Sequence, residues 1–172
     1  MRTVLVALVL LAGCSTMTLR IPRDDLQADM AKRFPVEADK HVVTLTASDP
    51  QLELLGSVNR LAVRLRLQAA SAGGTSQLSG TSRVEGRIEY VAAEHAFYLR
   101  DPKVTELQLD SSDRIAGQRL IERASRSALE TLLRRHPVYR LDGKRSEKEA
   151  KAIRHLRSVR VEDQDLVLEV GI

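Results

Sequence analysis

The chain has 172 residues, a formal net charge of +4, and a hydrophobic fraction of 43% against 29% charged residues. That balance excludes a disordered polyelectrolyte and leaves room for one ordinary domain with a sizeable core. Aromatic residues contribute 3%, with no tryptophan, so the core is expected from Leu, Val, Ile and Ala.

Met1-Arg2-Thr3 carries a single cation and is followed by an apolar run from Val4 to Leu11. The run suits the core of a secretory signal and is too short for a membrane span, which needs about 20 residues. Leu11-Ala12-Gly13-Cys14 follows directly, matching the lipobox of bacterial lipoproteins. Small residues at 12 and 13 admit the backbone to a signal peptidase, and the Cys14 thiolate is the nucleophile that accepts the diacylglycerol. Residues 1–13 are therefore expected to be a signal peptide, 14–20 a lipidated tether, and 21–172 a single domain. Cys14 is the only cysteine, so no disulfide forms within the chain.

Several acyl chains on Cys14, palmitate among them, would make a permanent anchor where one would hold only marginally. Ser15 and Thr16 lack the aspartate that retains enteric lipoproteins in the inner membrane. The expected address is the periplasmic face of the outer membrane. Export removes nucleic acid as a partner for the basic chain and leaves anionic lipid headgroups as the polyanion of interest.

Beyond the tether, Ile21-Pro22-Arg23-Asp24-Asp25 reads as a helix start, with Leu26, Met30 and Phe34 on one face and Pro35 as the stop. The period then changes to two. Val43, Leu45 and Ala47 share a face, and Leu52 and Leu54 resume it with shifted parity after Asp49-Pro50, as a bulge would produce. From Arg60 to Gln68, Leu61, Val63, Leu65 and Leu67 oppose Arg60, Arg64, Arg66 and Gln68. Gly73-Gly74 turns the chain into Leu78–Val91, whose inner positions include Val84, Ile88, Gly80 and Gly86. Ala96–Leu109 is extended and interrupted at Asp101-Pro102. Both Asp-Pro steps read as kinks that let long antiparallel strands bend.

Residues 113–136 predict the longest helix, N-capped by Asp113, with Ile115, Leu120, Ile121, Ala124, Ala128, Leu129, Leu132 and Leu133 as an apolar stripe. Val138–Leu141 is short and extended, Glu147–Leu156 a short helix, and Val159–Val161 with Leu166–Val170 a closing hairpin. The expected fold is α+β: a long curved antiparallel sheet wrapped around a long amphipathic helix, with a short helix before it and a short helix and hairpin after it.

No constellation argues for an enzyme. There is no Gly-x-Ser-x-Gly elbow, and His41, His95, His136 and His155 are scattered without metal-ligand spacing. No catalytic residue, metal ligand or cofactor is expected, and Glu94-His95 reads as a loop surface. What remains is apolar surface on sheet and helix. Leu65, Leu67, Val84, Ile88, Leu120, Ala124, Ala128 and Leu132 are the candidate lining of a groove for a lipid or other apolar ligand. The rival expectation is a packed core in a structural lipoprotein, recruiting an envelope protein through Arg119, Arg123 and Arg126.

Ala31-Lys32-Arg33-Phe34-Pro35, Gly86-Arg87-Ile88-Glu89-Tyr90, Ala96-Phe97-Tyr98-Leu99-Arg100-Asp101-Pro102 and Pro137-Val138-Tyr139-Arg140-Leu141, in that order, resemble the YceB-like bacterial lipoproteins. The resemblance covers most of the chain after Cys14. It implies a fold similar to the tubular lipid-binding (TULIP) superfamily and, by that analogy, a lipid ligand; it offers no catalytic residues.

Overall fold

The computed structural model describes residues 16–40, 43–71, 77–110 and 118–171. Strand outweighs helix among them, 58% against 29%. The elements are β1 (Thr16–Pro22), α1 (Arg23–Ala31), β2 (Val36–Lys40), β3 (Val43–Leu55), β4 (Arg60–Ser71), β5 (Gln77–Val91), β6 (Ala96–Asp110), α2 (Gln118–Arg135), β7 (Tyr139–Arg140), α3 (Glu147–His155), β8 (Leu156–Val161) and β9 (Asp165–Gly171). Strands β2 to β7 form a six-stranded antiparallel meander in chain order, and β1-β9-β8 form a separate three-stranded sheet.

This corrects the expected architecture. Among the described residues the structure is mostly β, built as two sheets with three short helices, and no long amphipathic helix is wrapped by a single curved sheet. The described helix α2 has 18 residues rather than the expected span 113–136; Asp113 and Ile115 lie outside the described residues. The segment expected as a tether supplies Thr16–Arg20 to β1. Met17, Leu19 and Ile21 pair with Val170, Leu168 and Leu166 of β9 and pack against the core. Period-two alternation in Thr-Met-Thr-Leu-Arg-Ile drives it: apolar residues at every second position suit a strand with one covered face.

Cross-strand partners share a sheet face, so the register defines the inner surface of the meander. Val63 faces Val84, Leu65 faces Ser82, Leu67 faces Gly80, and Ala69 faces Leu78. On the next strand Leu107 and Leu109 face Ser82 and Gly80, while Leu99 and Phe97 face Ile88 and Tyr90. The opposite face carries Arg64, Arg66, Arg83, Glu53 and Glu85, tied by ion pairs. Helix α2 touches β2, β3, β4 and β6. Its Ile121, Ala128, Leu129, Leu132 and Leu133 join one core with the inner face and with Leu166, Leu168 and Val170 of the small sheet.

Both Asp-Pro steps break the register of the long strands, as the kinks require, and β6 breaks it once more at Thr105. Pairing jumps from Ser48–Arg66 to Gln51–Arg64, leaving Asp49 and Pro50 opposite a single residue. On β6 it jumps across Asp101 and Pro102, opposite Gly86. Asp49 and Asp101 have φ of 48° and 47°, left-handed values that Asp tolerates better than most side chains. Each faces an arginine of the neighbouring strand, Arg66 at 3.1 Å and Arg87 at 2.7 Å.

Candidate functional site

The interior between meander and α2 is the place where the sequence put its candidate lining. Leu65, Leu67 and Val84 lie on the inner face and are buried, as are Ala128 and Leu132 of α2. Ile88 and Ala124 are half-buried against the same core. Leu120, at the start of α2, is 52% exposed. The structure thus brings seven of the eight into one apolar cluster and leaves Leu120 at its margin. Leu107 and Leu109, on the last part of β6, are likewise only partly covered, so the inner face loses cover toward that end.

Among the described residues, four polar ones are buried: Asp29, Ser82, Ser125 and Glu149. Both carboxylates are hydrogen-bonded. Asp29 accepts from Arg33 at 2.7 Å and from the Arg140 backbone N–H at 3.1 Å, joining α1 to β7. Glu149 accepts from the Tyr139 hydroxyl at 3.1 Å and from the Asp142 N–H at 2.7 Å, and Arg145 reaches the same group. Burial, and then the Glu149 charge, push the Tyr139 phenol far above its usual range, so it stays a neutral donor. This network holds α3 against β7.

The two serines differ. Ser82 on the inner face of β5 and Ser125 on the buried side of α2 have hydroxyl oxygens with no hydrogen-bond partner, and the half-buried Tyr90 hydroxyl has none either. A buried polar group without a partner costs about 1–3 kcal/mol and is uncommon enough to call for a reason. The sequence does not reveal these hydroxyls: a serine at an inner strand or helix position reads as a break in the apolar pattern rather than as part of a site.

Two surface hollows formed by described residues have charged walls. One lies among Asp49, Arg64, Arg66, Arg83 and Glu106, where the Arg64 hydrogen bond holds the Glu53 carboxyl below its ordinary value. Another lies among Glu89, Arg100, Arg134 and Arg135. Glu94 and His95 sit at a hairpin tip; the Glu94 carboxylate accepts from Tyr98, and His95 has φ 52°. Arg119, Arg123 and Arg126 are exposed on α2, and Arg126 donates to the Val104 carbonyl at 3.2 Å.

A family model described as a protein of unknown function (DUF1439) matches residues 21–165. The chain belongs to the DUF1439 family. No curated protein matches it with significance. The matched span runs from the end of β1 to the start of β9, so the family relation covers the whole meander, α2 and α3. Cys14 lies outside it.

Proposed function

We propose that this member of DUF1439 is a YceB-like lipoprotein, anchored through Cys14 to the periplasmic face of the outer membrane, whose domain takes up a lipid or similar apolar ligand between meander and α2. The lipobox at residues 11–14 supports the anchor. The observation that carries the ligand is the pair of buried, unpartnered hydroxyls of Ser82 and Ser125 inside an otherwise apolar interior. A ligand with an apolar chain and a small polar group would satisfy them, entering where Leu107, Leu109 and Leu120 lose cover. The tubular lipid-binding proteins contribute only this ligand class, by analogy, and not their architecture.

Native mass spectrometry of protein released gently from membranes tests the ligand. Co-purified lipid in the wild type, lost in Ala124→Trp with the thermal transition retained, is the expected result; a lipid-free wild type overturns it. Mass analysis of the mature N-terminal peptide tests the anchor, with an acylated Cys14 expected.

A second reading draws on the depth of Leu65, Leu67, Val84, Ala128 and Leu132. They pack as a core, and a lipoprotein with no ligand would recruit an envelope protein through Arg119, Arg123 and Arg126. Reversing these three to glutamate separates the readings: loss of a pulled-down partner with lipid content unchanged favours recruitment.

A further inference from the structure

Strand β1 begins at Thr16, so only Ser15 stands between the lipobox cysteine and a strand bonded into the small sheet. Two residues span at most about 7 Å. An anchor on Cys14 would hold the first residues of β1 within about one Debye length, ~8 Å, of the headgroups. What lies at that end of the sheet is therefore pressed against the bilayer.

The register identifies it. Thr16 and Met17 pair with Gly171 and Val170 of β9, and Val170 pairs on its other side with Leu156, the first residue of β8. The α3–β8 junction is thus level with the start of β1, two strand spacings away, about 10 Å. It carries Arg154, His155 and Arg157, all exposed. The Arg157 guanidinium lies over Gly171, so closely that a Cβ there would meet its Nε at 2.5 Å. Neither Arg154 nor Arg157 has an acidic partner among the described residues, whereas the nearest acid on the sheet, Glu169, is taken by Arg160 at 3.3 Å and by Ser158 at 2.9 Å. Two free guanidiniums beside the attachment point complement an anionic lipid surface.

We infer that the end of the small sheet where β1 begins, with Arg154 and Arg157, rests on anionic lipid headgroups, and that the domain stands on the membrane in one orientation instead of swinging on a tether. The inference rests on acylation at Cys14. The opposite end of the same sheet is the β8–β9 turn, where Asp163 accepts from the Gly56 N–H at 3.1 Å. The neighbouring hairpin tip, with Val58 58% exposed, then points away from the bilayer.

The test uses the acylated protein in phosphatidylcholine vesicles containing one quarter phosphatidylglycerol and a lipid spin-labelled on its headgroup. An acylated Cys14 has no free thiol, so a fluorophore is attached through His155→Cys or Val58→Cys alone. The expected result is quenching severalfold stronger at 155 than at 58, abolished by a Gly/Ser linker of about a dozen residues after Ser15. Arg154→Glu with Arg157→Glu is expected to weaken quenching at 155 only when phosphatidylglycerol is present; Arg154→Gln with Arg157→Gln serves if the reversal perturbs folding. Equal quenching at both positions in an acylated protein overturns the orientation and leaves the anchor standing. A mature peptide without acyl chains overturns both.

Discussion

The β3–β4 and β5–β6 hairpins are two versions of one design. Each turns through a single 3-10 turn, Gly56–Val58 or Ala92–Glu94, closed by a left-handed residue, Asn59 or His95, both with φ 52°. Each has one strand broken by an Asp-Pro bulge. They differ in how the loose ends are tied. In the first, Gln27 of α1 reaches the bulge with both ends of its amide, donating to the Pro50 carbonyl at 2.6 Å and accepting from Leu52 N–H at 2.7 Å. In the second, α2 sends two side chains to the strand just beyond its bulge: Glu130 accepts from Val104 N–H at 3.3 Å and Arg126 donates to its carbonyl. At the tips, Asn59 accepts from Val161 N–H at 2.8 Å through its side chain, whereas His95 is tied through its backbone, its carbonyl accepting from Leu141 N–H at 2.8 Å and its N–H donating to the Ala92 carbonyl at 3.3 Å. The first hairpin is tied by side chains at its bulge and at its left-handed tip residue; the second is tied by side chains beside its bulge, by the backbone of His95 at its tip, and by close strand approach at Gly80.

That contrast can be broken most severely at Gly80. A Cβ there would lie 2.0 Å from the Gln108 carbonyl oxygen, so Gly80→Val must force β5 and β6 apart. The expected loss is about 3 kcal/mol or more by denaturant titration. Gln27→Ala comes next. It orphans two part-buried backbone groups at once and should cost about 2–3 kcal/mol, against about 1 kcal/mol for Glu130→Ala, whose one bond is long.

The tips should separate in the same way. Asn59→Ala loses an acceptor and puts alanine in the left-handed region, costing about 2 kcal/mol. His95→Asn retains everything the tip uses and should stay within about 0.5 kcal/mol of wild type. Similar losses at 59 and 95 would mean that the side-chain tie is not what distinguishes the hairpins.

The smallest effect is a pH dependence at the end of α2. Burial, and then the charge of Arg33, hold the His136 imidazole below its ordinary value. A depressed folded pKa means that the unfolded chain takes the proton first. The contribution is therefore fully present above about pH 6.5 and is lost as pH falls through the folded value. The melting temperature of wild type should drop more between about pH 7 and pH 5 than that of His136→Asn.

Period-two alternation exposed the strands of the meander, and proline after aspartate exposed their bulges, because both are local. The β8–β9 hairpin of the small sheet is legible in the same way, but its third strand, β1, is hidden for the opposite reason. Thr16–Pro22 alternates, but nothing near it offers a partner, and Pro22 before Asp24 and Asp25 reads as the start of a helix, which it also is. Without that strand and a second sheet, one long wrapped helix is the simplest use for the apolar stripe. At the candidate site, parity placed Leu65, Leu67 and Val84 on the correct face. It could not grade depth: Leu120 and Ala128 belong to one stripe, yet one is exposed and the other buried. The unpartnered serines are visible only once the strands and α2 are assembled around them.

The pairing of β1 with β9 also sets an order of events. The first strand of the domain to be synthesised bonds to the last, across about 150 residues of intervening chain. Until Leu166–Gly171 emerges, Met17, Leu19 and Ile21 have no covered surface to join, whereas each hairpin of the meander can close as soon as its second strand is made. The small sheet is a clasp that cannot close before β9 is made, and a chain truncated before β9 would leave the apolar face of its first strand unpaired.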